Sequence, residues 1–128
     1  SEKGPVFAVA ANPKTPVEAL KKLASHENAG VRREVASNQS TPIDILMQLV
    51  TDPDRKDSAE GFWSVRKRVA HNPNTPPGAL KQLAADQNKY VRIEVAKNPS
   101  TSPETLEQLL DDSVATVRRK AKKNPNLR

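Results

Sequence analysis

Four arginines, Arg32, Arg66, Arg92 and Arg118, share one local setting, each directly after a valine. A guanidinium carries five N–H donors in a fixed fork and binds carboxylates or phosphates bidentately. A series of such groups is therefore either a row of anion binders or a row of structural ties. Aspartates nearby favour the ties. Asp86 lies six residues before Arg92 and Asp112 six before Arg118; Asp52 precedes Arg66 by six plus eight inserted residues, and His26 holds the place before Arg32. An arginine beside buried valines needs a partner. The expectation is that Arg32, Arg66, Arg92, Arg118, Asp86 and Asp112 are structural, each pair tying the turn between two helices.

The wider charge pattern carries the second possible chemistry. Residues 31–38, 65–72, 91–98 and 117–124 hold twelve basic side chains against Glu34 and Glu94, a balance of +10. The rest of the chain holds nine basic and thirteen acidic residues, a balance of −4, so the net +6 conceals a division. Arg33, Lys67, Arg68, His71, Lys97, Arg119, Lys120 and Lys123 are expected to point outward as a basic stripe, the footprint of polyanion binding. Cations near helix C-termini are also favoured by the helix dipole alone. Aromatic side chains for base stacking are nearly absent from the stripe, Tyr90 being the one neighbour, which argues against single-strand recognition.

A third candidate is the segment 53–64, with Phe62 and Trp63, half of the chain's four aromatics. Tryptophan is a common interface anchor. The pair could equally cover a core edge ahead of Val65. Enzyme chemistry has little to stand on. His26 and His71 are the two histidines and lack a second ligand at helical spacing, and four glycines form no phosphate-cradling loop. With no cysteine there is no disulfide, thiolate zinc site or cysteine-held cluster. No apolar run approaches membrane-spanning length, so a cytoplasmic chain without cofactor or membrane association is expected.

These residues are positioned by a repeat. Asn12, Asn38, Asn72, Asn98 and Asn124 are 26, 34, 26 and 26 residues apart. The same register relates Thr15, Thr41, Thr75 and Thr101, and likewise Leu20, Leu46, Leu80 and Leu106. The spacing of 34 is one 26-residue unit with eight extra residues between Leu49 and Val65. An apolar fraction of 35% and 11 prolines would otherwise suggest disorder, but the apolar residues recur at fixed positions and the prolines punctuate helices. Thr15-Pro16-Val17-Glu18 reads as a capping box opening a first helix that offers Leu20 and Leu23. The second helix carries Val31, Val35 and Ala36, the small alanine allowing close contact. Asn38 suits a left-handed position at its end. Neither helix buries its stripe alone, so the units must stack. The expected fold is all-α: a single solenoid domain over 1–128 of four to five two-helix units. These span about 3–30 (partial), 31–64 (with the insertion), 65–90, 91–116 and 117–128 (partial).

The string Val65-Arg66-Lys67-Arg68-Val69-Ala70-His71-Asn72-Pro73-Asn74-Thr75-Pro76, followed by Leu80, Leu83, Ala84 and Asp86, resembles the leucine-rich repeat variant (LRV) family. That resemblance implies a right-handed superhelix in which α-helices alternate with shorter, often 3₁₀, helices. HEAT-like helix pairs are the runner-up, given units of 26 residues. The family's founding member carries a cysteine-bound iron–sulfur cluster outside its repeats, for which this chain has no ligands. The resemblance names a scaffold and no settled activity. The expected function is non-enzymatic binding of a macromolecular partner, most readily a protein, through the repeat surface and residues 53–64. The alternative is non-specific nucleic-acid or other polyanion binding through the basic layer.

Overall fold

A computed structural model of the chain describes residues 3–54 and 64–128. Phe62 and Trp63 lie outside the described residues. Among those described there are nine α-helices and no strand: α1 (Lys3–Ala11), α2 (Val17–Leu23), α3 (Ala29–Ser37), α4 (Ile43–Leu49), α5 (Val65–His71), α6 (Pro77–Leu83), α7 (Lys89–Lys97), α8 (Pro103–Leu109) and α9 (Ala115–Lys123). The odd-numbered helices form one layer, α1 on α3, α3 on α5, α5 on α7 and α7 on α9. The even-numbered helices, seven residues each, pack beside the long helix that follows: α2 on α3, α4 on α5, α6 on α7, α8 on α9. Both layers are α-helical in the described residues, so the expected alternation with 3₁₀ helices is not found. The result is an all-α solenoid.

The core follows the repeat register. Val31, Val35, Val65, Val69, Val91 and Val95 of the long helices are buried together with Leu20, Leu46, Leu80 and Leu106 of the short ones. A seven-residue helix is far too short to be stable alone in water, so burial of its leucines is what holds it. Ala10, Ala36, Ala70 and Ala96 are fully buried where successive long helices meet, the close approach that a methyl side chain permits.

Two sequence expectations are corrected at the helix ends. The threonines do not cap the short helices. The N-cap is the following residue, Pro16, Pro42, Pro76 or Ser102, in extended conformation. The buried hydroxyls of Thr41, Thr75 and Thr101 instead donate to the carbonyls of Val35, Val69 and Val95 at 2.7, 2.7 and 2.6 Å, and Thr15 does the same to Val9. These carbonyls sit in the last turn of the long helix, where orphan acceptors must be satisfied. The threonine therefore closes the helix before it rather than opening the one after.

The asparagines are not left-handed either. Asn38, Asn72, Asn98 and Asn124 have φ near −70° and ψ of 120–130°. Each is buried, and each side chain reaches back one repeat. Asn98 Nδ2 donates to the carbonyls of Ala70 (2.7 Å) and Asn72 (3.0 Å), while its Oδ1 accepts the N–H of Ser100 (2.8 Å). Asn38, Asn72 and Asn124 make the same three bonds to Ala10 and Asn12, to Ala36 and Asn38, and to Ala96 and Asn98. An amide supplies both donors and acceptor here, which no carboxylate or alkyl group could. The five asparagines thus form a ladder along the solenoid at the C-terminal ends of the long helices.

The eight-residue insertion is located by the same register. Asp54 stands two residues after Asp52, as Asn88 does after Asp86. The other long helices begin two residues before their valine, whereas α5 begins at Val65 itself. Ser64 caps α5 by accepting the Lys67 N–H, and the Asp54 carboxylate accepts the Val65 N–H at 3.1 Å, so the ends of the inserted segment are held together.

Candidate functional site: the long-helix face

The repeated arginines are spent inside the stack. Arg92 grips Asp112 side-on, Nε to Oδ2 at 2.8 Å and Nη2 to Oδ1 at 3.3 Å, and its Nη1 donates to the Asp86 carbonyl at 2.8 Å. Arg66 binds the Asp86 carboxylate at 2.6 and 3.2 Å and the Asp52 carbonyl at 2.8 Å. Arg32 binds the Asp52 carboxylate and the carbonyls of His26 and Glu27. The pairing expected within one turn, Asp86 with Arg92 and Asp112 with Arg118, is therefore off by a repeat. Asp86 gives Arg92 only its backbone oxygen, and its carboxylate turns back to Arg66. Asp112 likewise gives Arg118 its carbonyl, at 2.7 Å, and its carboxylate to Arg92. Each aspartate bridges two arginines, so a second polar ladder runs along the N-terminal ends of the long helices, parallel to the asparagines.

Arg33 does not point outward as expected. It is mostly buried and paired with the Asp54 carboxylate at 2.8 and 3.3 Å. Ile93 holds the equivalent place on α7. The other members of the stripe lie on one face, in three rows. Lys67 and Arg119 share a row with Arg33; Arg68 and Lys120 alternate with Glu34 and Glu94 in the next; His71, Lys97 and Lys123 follow Ser37 in the third. His71, Lys97, Arg119 and Lys123 are exposed, while Lys67, Arg68 and Lys120 are half-buried.

The second and third rows of adjacent helices interlock. Arg68 Nη1 donates to Ser37 Oγ at 2.9 Å, and His71 Nδ1 lies 2.9 Å from Glu94 Oε1. Lys97 is 3.7 Å from the other Glu94 oxygen. At the equivalent position between α7 and α9 stand Lys97 and Lys120, two cations. The positions between long helices thus pair Ser37 with Arg68, His71 with Glu94, and Lys97 with Lys120 along the array. Burial lowers the Lys67 pKa below its ordinary value, a shift opposed by Glu94 and reinforced by the charges of Arg68 and Lys97.

A cavity of about 510 Å³ opens on this face, lined by Ser37, Lys67, Arg68, His71 and Glu94 among others. Among the described residues no group of three or more metal-ligating side chains comes together. No described helix is long and apolar enough to cross a membrane. The two ladders were the features that spacing did not disclose. Their signal was present as recurring asparagines and, in three of the units, aspartates, but a register does not say whether a side chain bonds forward or back.

Comparison with known proteins agrees with this architecture. The sequence model of the leucine rich repeat variant family matches residues 29–54, 63–88 and 91–114. A solved structure described as a leucine-rich repeat variant with a novel repetitive structural motif is similar at 33% identity and a TM-score of 0.64, covering 88% of this chain and 42% of its own. This chain thus spans less than half the length of that relative. An engineered protein shares the fold at 20% identity and a TM-score of 0.50, over 94% of this chain and 42% of its own. No curated protein sequence matches. Three consecutive repeat matches, covering more than half the residues, agree with the helix register described above, and the chain belongs to the leucine-rich repeat variant family.

Proposed function

We propose that this chain is a non-enzymatic repeat scaffold whose long-helix face binds an acidic protein partner. One observation carries the reading: Arg32, Arg33, Arg66 and Arg92 are neutralised by aspartates within the stack, while Lys97, Arg119 and Lys123 are exposed on the same face. The structural and the outward cations are thus separate sets. A surface of one charge sign steers an oppositely charged partner and gives specificity and on-rate.

Nucleic-acid binding is the second reading, and the same basic rows favour it. Three features weigh against it. The repeated arginines, the best bidentate phosphate binders, are turned into the stack. Glu34 and Glu94 interrupt the middle row. The described part of this face offers no aromatic platform beyond the half-buried Tyr90 at the start of α7. Fluorescence anisotropy with a labelled acidic peptide and a labelled DNA duplex, each over a range of salt, tests the choice. Peptide binding that weakens with salt and is not displaced by duplex supports the proposal. Duplex binding with no peptide binding transfers the face to nucleic acid.

A further inference from the structure

We infer that Arg118 is the open rung of the arginine–aspartate ladder and receives a side-chain carboxylate of the acidic partner. This rests on the acidic-partner reading given above and places one acid of that partner at the α9 end of the solenoid.

Three rungs of the ladder are filled in one way. Arg32, Arg66 and Arg92 each set Nη1 on a backbone carbonyl at 2.8 Å. Each then holds a carboxylate side-on, Nε to Oδ2 at 2.6–2.8 Å and Nη2 to Oδ1 at 3.2–3.3 Å. Arg118 keeps the first contact without the second. Its Nη1 donates to the Asp112 carbonyl at 2.7 Å, whereas its Nε and Nη2 meet no acceptor among the described residues. The guanidinium is thus anchored at the point used in the filled rungs, and the side chain is exposed. A donor pair already oriented loses less freedom on binding than a free one.

The surface around it has the charge for such a partner. Arg92 and Ala96 lie on the side of α7 that meets the next repeat, Arg92 through its bond to Asp112. The same side of α9 carries Arg118 and Lys122, one turn apart and both exposed. Arg119 and Lys123 adjoin them, and α9 has no acidic residue. The occupant is not a long helix packed as the others are. Ala10, Ala36, Ala70 and Ala96 are fully buried where those helices meet, and Lys122 stands in their register. A lysine there suits a surface that brings carboxylates of its own. The other three rungs are filled, so a nucleic-acid backbone finds one fork and not a row of them.

The test uses the full chain, with a labelled aspartate-rich synthetic peptide and a labelled DNA duplex titrated by anisotropy at low salt. Arg118→Lys keeps the charge and removes the side-on fork. Peptide affinity is expected to fall about tenfold in that variant, the loss of one bidentate pair. It is expected to stay unchanged in Lys22→Ala, an exposed residue of α2. In the unmodified protein with isotope-labelled arginine, the Arg118 Nε–H resonance is expected to shift and saturate with the peptide. That resonance decides alone should Arg118→Lys unfold by circular dichroism. Unchanged affinity in the folded variant, or a resonance that stays in place while the peptide binds, overturns the open rung and leaves the acidic-partner reading standing. No binding of the peptide overturns both. A duplex that shifts the same resonance and displaces the peptide makes the fork a phosphate contact and contradicts the proposal.

Discussion

At the scale of single residues, the solenoid is held by groups that the repeat duplicates and the fold buries. Asn72 is 2% exposed, donates twice to the preceding repeat and accepts the Asn74 N–H. Asn72→Ala leaves those partners unsatisfied and is expected to cost about 2–4 kcal/mol. Asn72→Asp is expected to cost more, because a carboxylate then faces two carbonyl oxygens; urea unfolding of the two variants ranks them. Arg66 gives a sharper contrast with Arg118. Arg66 is buried against Asp86, so Asp86→Ala strands a buried charge and is expected to destabilise by about 3–5 kcal/mol. Arg118 is exposed and bonds only a carbonyl, so Arg118→Ala is expected to shift the midpoint within the scatter of surface substitutions, about 0.5 kcal/mol. The identity of these residues as structural groups was legible in the sequence, because an arginine after a buried valine needs a partner. The direction of the bonds was not. Asp86 is six residues before one arginine and twenty after another, and only the stacking distance between repeats selects the second.

At the scale of elements, the two-helix unit followed from apolar spacing alone, and its boundaries moved by one residue where threonine was read as a cap. Thr75 and Pro76 suit an N-cap equally well by type. The deciding fact is the last-turn carbonyl of Val69 beneath Thr75, which accepts the threonine hydroxyl besides the Asn72 N–H and which local sequence does not display. The absence of left-handed asparagines has the same origin: inter-repeat carbonyls compete for the side chain and win. On α5 the half-buried Lys67 is penalised while charged. Its pKa is lowered on folding, so the penalty is present below the folded pKa and is lost as pH rises through it towards 10.5. Lys67→Met is therefore expected to raise the melting temperature at neutral pH and to lose that advantage in strongly alkaline solution. NMR titration of reductively methylated protein is expected to place the Lys67 midpoint below that of the exposed Lys122.

At the scale of the whole molecule, stability and charge are arranged along the same axis. The asparagine and arginine–aspartate ladders run at opposite ends of the long helices, and the cationic rows lie between them on the exposed side. The net charge of +6 understates this face, because carboxylates in the turns and short-helix layer balance the sum without covering the long-helix rows. That division was legible from composition by layer; which cations were already paired was not, and four arginines of the layer proved to be. The central claim, that the outward cations form a binding face independent of the structural ones, is tested most directly by reversing charges in the outer rows. In Lys97→Glu/Arg119→Glu/Lys123→Glu protein, anisotropy titration at low salt with the acidic peptide is expected to show binding lost while the melting temperature stays near that of the unmodified chain. Undiminished peptide affinity in that variant, with the fold intact, contradicts the claim.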